Sequence, residues 1–473
     1  MQTAEAVKQE VSKPEFVLLE PRENVALITL NRPQALKSYV GDVMKCELRL
    51  GCGSSRLAAL SAVLLVAAFC PAWAQNLPDT QEQALAFEMA DRMPATAFYD
   101  TPTPLPPGKP GQLIRSQAVE GYELPKGVHA VRILYHSQDE AGEDVAASGV
   151  VLLPPGNAPK DGWRVIAWAH GTSGVARICA PSIMKDVYYG DDLFLMLQAG
   201  FAVIAVDYAG LGTQGPHHYM SINEQATDVI NGVKAAHDAV ADLSPRWLVD
   251  GHSQGGGAAW FVAQQEAVLG DRNYLGAVAA APALNVPWLI HSMGGNDSAS
   301  LYDVFFAYGI KARFPQFNVA DMLTEPALAQ YPAMTTEGCW FHGYATEHSH
   351  LLGTSTVKPH FEDNPWVRKF EHMDFFGHRP ARPVLVLAGG ADQSVPLPSI
   401  QPIAVKACRL GYPLQFRIYP GLDHEPLMNK SVPDQLRWIG ARFAGQSASD
   451  NCATLTKRSR TGDDKVTATE TSK

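Results

Sequence analysis

The sequence predicts an α/β fold: a mostly parallel central sheet, preceded by antiparallel strands and interrupted by a helical insertion. Three observations carry that expectation. From Val165 to Ala281 short apolar runs alternate with longer runs of helical period, the pattern of strands joined by right-handed crossover helices. Upstream, three β-rich runs separated by Pro/Gly breaks read as an antiparallel meander. The third is one strand–helix junction, from Trp247 to Gly257, that carries Gly251-x-Ser253-x-Gly255, the spacing of a nucleophile elbow.

Taken in order, residues 1–43 open with a two-strand hairpin pattern, Phe16–Glu20 and Asn24–Arg32. These thirty or so residues resemble the opening strands of the enoyl-CoA hydratase (crotonase) family, without its oxyanion loops or acid residues. They read as a vestigial or mis-joined leader without activity. Residues 44–74 read as a secretory signal. Lys45, Arg49 and Arg56 precede the apolar run Leu57–Phe69, and Ala72-Trp73-Ala74 supplies small residues for cleavage after Ala74. The apolar run is too short for a comfortable membrane span.

The core is expected over 75–282 and 383–455. A polar helix to Met93 and a Pro/Gly-rich arm from Phe98 to Gly111 lead into the meander, Gln112–Ser116, Val128–His136 and Ala146–Leu153. In the second run Val131, Ile133 and Tyr135 alternate with polar neighbours, as on a half-buried strand. Parallel strands are placed at Val165–Ala169, Phe201–Val206, the run ending at Asp250, Leu275–Ala281, Val384–Leu387 and Gln415–Tyr419. Helices are placed at Asp191–Ala199, Glu224–Asp242, Gly255–Leu269 and Val432–Phe443. The long helix at 224–242 sets Val229, Val233, Ala236 and Val240 on one face. The insertion, 283–382, is rich in aromatic and apolar residues, with helical pieces at Ser298–Lys311 and Val319–Gln330, and would cap the carboxyl ends of the strands. Residues 456–473 are charged and polar and read as a disordered tail.

Within this frame Ser253 is the candidate nucleophile. Glycines two residues either side let a strand turn straight into a helix, and the helix N-terminus behind the serine turns N–H groups toward developing negative charge. A serine needs a base, and the base needs an orienting acid. In this architecture they follow in the order serine, acid, histidine. Asp392 falls in the turn after Val384–Leu387, and His424 in the turn after Gln415–Tyr419. Asp423 and Glu425 rival Asp392 as the acid but adjoin the base in sequence. Two backbone N–H groups should form the oxyanion hole: that of Gln254, and that of Gly171 or Thr172 in the loop after Val165–Ala169. No metal site is expected, because His342, His348 and His350, and the pair His217-His218, lack ligand spacing such as His-Glu-x-x-His.

The elbow, the loop from His170 to Gly174, its continuation Val175-Ala176-Arg177-x-Cys179-Ala180-Pro181-Ser182, the arm from Phe98, the insertion and the order Ser253, Asp392, His424 together resemble the secretory lipase family. These are α/β-hydrolases of the fungal lipase A type with bacterial relatives. The resemblance spans nearly all of 85–455. It implies carboxylic-ester hydrolysis, commonly of triacylglycerols, through an acyl-enzyme and without a cofactor. It also implies disulfides Cys179–Cys339 and Cys408–Cys452, although the four cysteines alone allow three pairings. One departure stands out: some fungal members carry an acidic side chain in the oxyanion loop, and none lies between His170 and Gly174.

Composition narrows the partners. A net charge of −10 without a basic stripe speaks against nucleic acid. The expected partner is an ester or lipid, at a lipid–water interface if the substrate is a fat, for a secreted or periplasmic protein with no transmembrane segment after cleavage. The alternatives are an esterase for short-chain or aryl (feruloyl, acetyl) esters, a non-catalytic binding module on the same scaffold, and CoA chemistry resting on 16–33 alone. Export is testable: N-terminal sequencing of the secreted chain should begin at Gln75, and a mature start upstream of Met44 would overturn the signal assignment.

Overall fold

The structure is a computed structural model. It describes the strands within 17–22, 25–30 and 45–49, and then residues 77–94, 96–293, 300–372 and 376–461. The chain divides into two compact units, Met1–Asn76 and Leu77–Lys473. In the first, β1 (Val17–Arg22) and β2 (Val25–Leu30) form the expected hairpin, and β3 (Lys45–Arg49) adds to β2 antiparallel. That third strand falls on residues read from sequence as the charged start of the signal. The apolar run Leu57–Phe69 and the cleavage position lie outside the described residues.

The second unit opens with α1 (Gln81–Asp91), capped by the Thr80 side chain, which accepts from the Gln83 N–H. The meander follows as β4 (Leu113–Val119), β5 (His129–Gln138) and β6 (Asp144–Leu153). Then come β7 (Trp163–Ala169), α2 (Gly190–Gln198), β8 (Phe201–Val206), α3 (Ile222–Ala239), β9 (Leu243–His252), α4 (Gln254–Leu269) and β10 (Tyr274–Ala280). The segment between β10 and the next strand carries α5 (Val286–Met293), α6 (Leu301–Arg313), α7 (Glu325–Pro332), α8 (Trp340–His350) and α9 (Pro365–Glu371). The chain returns through β11 (Val384–Gly389), α10 (Leu397–Arg409), β12 (Leu414–Tyr419), α11 (His424–Phe443) and α12 (Cys452–Thr461).

The nine strands run β12-β11-β10-β9-β7-β8-β6-β5-β4. From β12 to β8 every pairing is parallel, and from β8 to β4 every pairing is antiparallel. This is the α/β-hydrolase arrangement. The order follows from burial. Every residue of β8 and β11 is buried, as expected of parallel strands covered by helices on both faces. Val, Ile and Leu dominate these strands because branched side chains pack well on a pleated surface.

Several boundaries differ from the sequence reading. The last core helix starts at His424, not Val432, because Asp423 caps it there: its side chain accepts from the His424 N–H at 2.8 Å. Pro433 sits inside that helix. In the insertion, the piece expected over Val319–Gln330 is a short 3₁₀ turn at Val319–Asp321 followed by α7. The tail expected to begin at residue 456 instead continues α12 to Thr461, and residues 462–473 lie outside the described residues. Disulfide Cys408–Cys452 joins α10 to α12, and Cys179–Cys339 joins the loop after β7 to the start of α8. Among the described residues no helix is long and apolar enough to cross a membrane.

What fixes the site is the junction of β9 with α4. A Cβ on Gly251 would strike the Gly255 carbonyl, and one on Gly255 would strike the carbonyl of Ala169 at the end of β7. Gly440, in α11, has open space where its Cβ would stand. Gly255→Ala should therefore destabilise by about 3 kcal/mol or more through backbone displacement. Gly440→Ala should stabilise by about 0.5–1 kcal/mol through helix propensity. Thermal unfolding of both variants measures this, and equal Tm shifts would contradict the packing described.

Candidate active site

Ser253 stands between β9 and α4 with φ 59° and ψ −120°, a conformation that for a non-glycine residue costs about 1–3 kcal/mol and persists only when its surroundings impose it. They do so through three backbone hydrogen bonds. Ser253 N–H donates to the Ala280 carbonyl at 2.9 Å, and the Ser253 carbonyl accepts from Ala283 at 3.0 Å and from Gly257 at 3.1 Å. The next residue, Gln254, is the first of α4, where a backbone N–H has no acceptor within its own helix.

Asp392 and His424 meet. The imidazole Nδ1 lies 2.8 Å from Asp392 Oδ2, and both residues are buried. The other carboxylate oxygen accepts from the backbone N–H groups of Ser394 (3.0 Å) and Val395 (2.7 Å), which leaves Oδ2 aimed at the imidazole. Asp423 Oδ1 accepts from both His424 N–H (2.8 Å) and Gln393 N–H (3.0 Å). It ties the two turns together instead of competing for Nδ1. Burial works against the imidazolium of His424, but the charge and hydrogen bond of Asp392, joined by Glu425 and Asp423, prevail, and its pKa is raised above 6.5.

His424 and Ser253 approach through His252, the residue before Ser253, whose ring packs on His424 with centroids 4.4 Å apart. Among the described residues no hydrogen bond joins Ser253 Oγ to His424. In unliganded sites such bonds are often long and tighten when substrate is held.

The loop after β7 lies against this junction, and its carbonyls are each held. Tyr208 donates to the His170 carbonyl at 3.0 Å, Tyr188 to that of Thr172 at 2.7 Å, and Trp340 N–H to that of Ser173 at 2.9 Å. His170, neutral because burial lowers its pKa to about 4, has Nδ1 2.5 Å from the Gly171 carbonyl. The two expected donors of this loop are not equivalent. The Gly171 N–H is turned to the Tyr189 hydroxyl, whereas Thr172 borders the same cavity as Ser253 and Gln254.

A second polar chain fixes Gln254. Burial lowers the pKa of His217 to about 3, and its Nδ1 faces the Ala209 carbonyl at 3.0 Å. Its Nε2 is thereby the acceptor facing the Gln254 amide nitrogen at 3.4 Å, and the Gln254 carbonyl oxygen accepts from the Thr172 hydroxyl at 3.1 Å. Thr172 in turn meets the Tyr219 hydroxyl at 3.0 Å. His252, His217, Tyr189 and Tyr219 were not picked out by sequence reasoning as site residues. His252 lies inside the elbow motif and could have been. Tyr189, far away in sequence, carries no local signal.

The cavity beside Ser253 is narrow, about 20 Å³, and takes Leu289, Tyr302 and Phe306 from the segment between β10 and β11, with Met220 and Val395 from the core. For cations, the ligating atoms of His252, His424 and Glu425 lie within 4.8 Å of one another. The Nδ1 atoms of both histidines already face Tyr189 and Asp392. The histidines at 217–218 and 342–350 take no part in that cluster.

Comparison with known proteins agrees with this architecture. The family model of secretory lipases matches residues 190–451. A probable inactive lipase of Mycobacterium tuberculosis is 24% identical over 386 residues, covering 75% of this chain and 83% of its own. Lipase 6 of Candida albicans is 22% identical over 416 residues, covering 76% and 84%. Among solved structures, Candida antarctica lipase A in its closed state superposes with a TM-score of 0.65 at 16% identity, over 77% of this chain and 90% of that one. The rice cell wall degrading esterase LipA of Xanthomonas oryzae gives 0.58 at 18% identity, over 71% and 98%. At such identities the structural likeness speaks for the fold, and the family match covers more than half of the sequence. With this fold and these motifs, the chain belongs to the secretory lipase family of ester hydrolases.

Proposed function

We propose that the protein is a secreted serine hydrolase that cleaves carboxylic esters through an acyl-enzyme, with triacylglycerols bearing short acyl chains among its substrates. The observation that carries this reading is the Asp392–His424 pair, packed through His252 against the strained turn of Ser253. Asp392 holds His424 with Nδ1 protonated, so Nε2 carries the lone pair. His424 takes the Ser253 proton as Oγ attacks the ester carbonyl, then delivers it to the leaving alcohol. The N–H groups of Gln254 and Thr172 receive the oxyanion. Water, deprotonated by the same imidazole, attacks the acyl-enzyme and releases the acid.

The space beside Ser253 open to a water-sized occupant is about 20 Å³, well below the roughly 300–1,000 Å³ typical of ligand sites, which favours a compact acid over a long fatty chain. A p-nitrophenyl ester series should show kcat/KM falling from butyrate to palmitate. Ser253→Ala should lose at least about 10⁴-fold in turnover and all labelling by a fluorophosphonate. A rise toward palmitate would favour a long-chain lipase. A lack of Ser253-dependent turnover would leave the non-catalytic scaffold, a reading raised by the inactive relative, or CoA chemistry.

The pH profile follows from His424. The base works only when neutral, so activity appears as pH rises through its pKa. Because that pKa is raised above 6.5, the acidic limb of kcat/KM should have its midpoint above pH 6.5. Glu425 contributes to the rise, so Glu425→Gln should move the limb to lower pH. A limb below pH 6 in the native protein, or an upward shift in Glu425→Gln, would contradict the electrostatics described.

A further inference from the structure

One buried imidazole at the site has no role in the chemistry above. His252 is fully buried. Burial, with His424 adding to the effect, drives its pKa well below 6.5, so the ring is neutral. The Tyr189 hydroxyl lies 2.9 Å from Nδ1. The backbone of His424 offers an acceptor to the same ring, although Nε2 makes no full hydrogen bond among the described residues. These neighbours sort the tautomer: Nδ1 accepts from Tyr189 and Nε2 carries the hydrogen.

Tyr189 has a second duty. Its oxygen takes the Gly171 N–H, and it fills the space where a side chain at 171 would stand. Its ring is fixed edge-on against Trp168 of β7 at 5.0 Å and against His252 at 5.8 Å. A continuous line therefore runs from the Gly171 amide through the Tyr189 hydroxyl to His252, and across the 4.4 Å ring contact to His424. It crosses the three elements that must be in register: the loop after β7, the elbow and the turn that bears the base.

We propose that Tyr189 and His252 are a pair of positioning residues that hold the oxyanion loop and the His424 imidazole in register with Ser253, an inference that rests on the ester-hydrolase reading. Neither touches the reacting atoms. They act by denying the imidazole a rotation away from the serine and by stopping the loop from drifting off the elbow. Small displacements of this kind carry large rate penalties, about 10²-fold for roughly 1 Å. Packing alone would show itself differently, as a lower Tm and fewer active molecules with normal turnover in each.

The test uses Tyr189→Phe, which keeps the ring and deletes the hydroxyl, and His252→Phe, which keeps a ring beneath His424 and deletes the acceptor. Both are combined in a double variant. Turnover of a short-chain p-nitrophenyl ester is measured per active site titrated with a fluorophosphonate. Each single variant should lose about 10- to 100-fold in kcat with KM within about twofold. The double variant should be no worse than the poorer single, because both break one line. His252→Asn, which places a carbonyl oxygen near the position of Nδ1, should recover part of the loss if it folds. Unchanged kcat per titrated site in Tyr189→Phe overturns the proposal, as do losses that multiply in the double variant. Should His252→Phe fail to fold, Tyr189→Phe decides alone. These outcomes all presuppose turnover that depends on Ser253. Turnover surviving Ser253→Ala would instead remove the hydrolase reading itself.

Discussion

The site depends on one steric constraint: the backbones of β7, β9, β10 and α4 converge more tightly than any Cβ would allow. Ala169 and Ala280 bring carbonyl groups to the places where Gly255 and Gly256 would carry side chains, and Gly255 does the same to Gly251. Only glycine lets the four elements close, and closing leaves Ser253 at positive φ with its backbone hydrogen-bonded to the end of β10. The conformational strain is thus imposed by the parallel sheet. The position of the Ser253 hydroxyl follows from the same packing that stabilises the core.

Around this junction the same residue type serves opposite ends, decided by its neighbours. Four histidines, His170, His217, His252 and His424, lie buried within the site. His424 has carboxylates in reach, and its imidazolium is favoured despite burial. At His252, His217 and His170 burial is the main cause of neutrality, with neighbouring imidazoles adding to it at the first two. Desolvation acts on all four in the same direction, so what sets His424 apart is the nearby carboxylates, Asp392 at 2.8 Å first among them. Asp423 shows the complementary case. Adjacent to the base, it spends its carboxylate on two backbone N–H groups and so acts as a clamp between turns.

Much of this was legible in sequence where chemistry is local. The elbow pattern, the bounds of β8 and the antiparallel meander all come from residues a few positions apart, and the pairing of Asp392 with His424 was reached through the strand-end turns that carry them. What escaped has identifiable physical reasons. The helix at 397–409 was not placed, and α11 begins eight residues before the expected Val432; both carry an interior proline, and α10 accepts Pro398 in its first turn. The helices of the insertion were blurred because their apolar residues serve the cavity and their own packing together. Tyr189 and His217 were invisible as site residues, since their partners, His252 and Gln254, lie 63 and 37 positions away. The twofold choice between Gly171 and Thr172 could not be narrowed before the direction of an amide was seen.

The bond between Cys179 and Cys339, together with the Trp340–Ser173 backbone contact beside it, fastens the helical segment to the very loop that would stabilise the oxyanion. A flap riveted at that point cannot slide off as a body. If the segment opens, it must pivot about the rivet, with Tyr302 held near it by the Trp340 indole at 3.1 Å, while the loop after β7 stays clamped throughout the stroke.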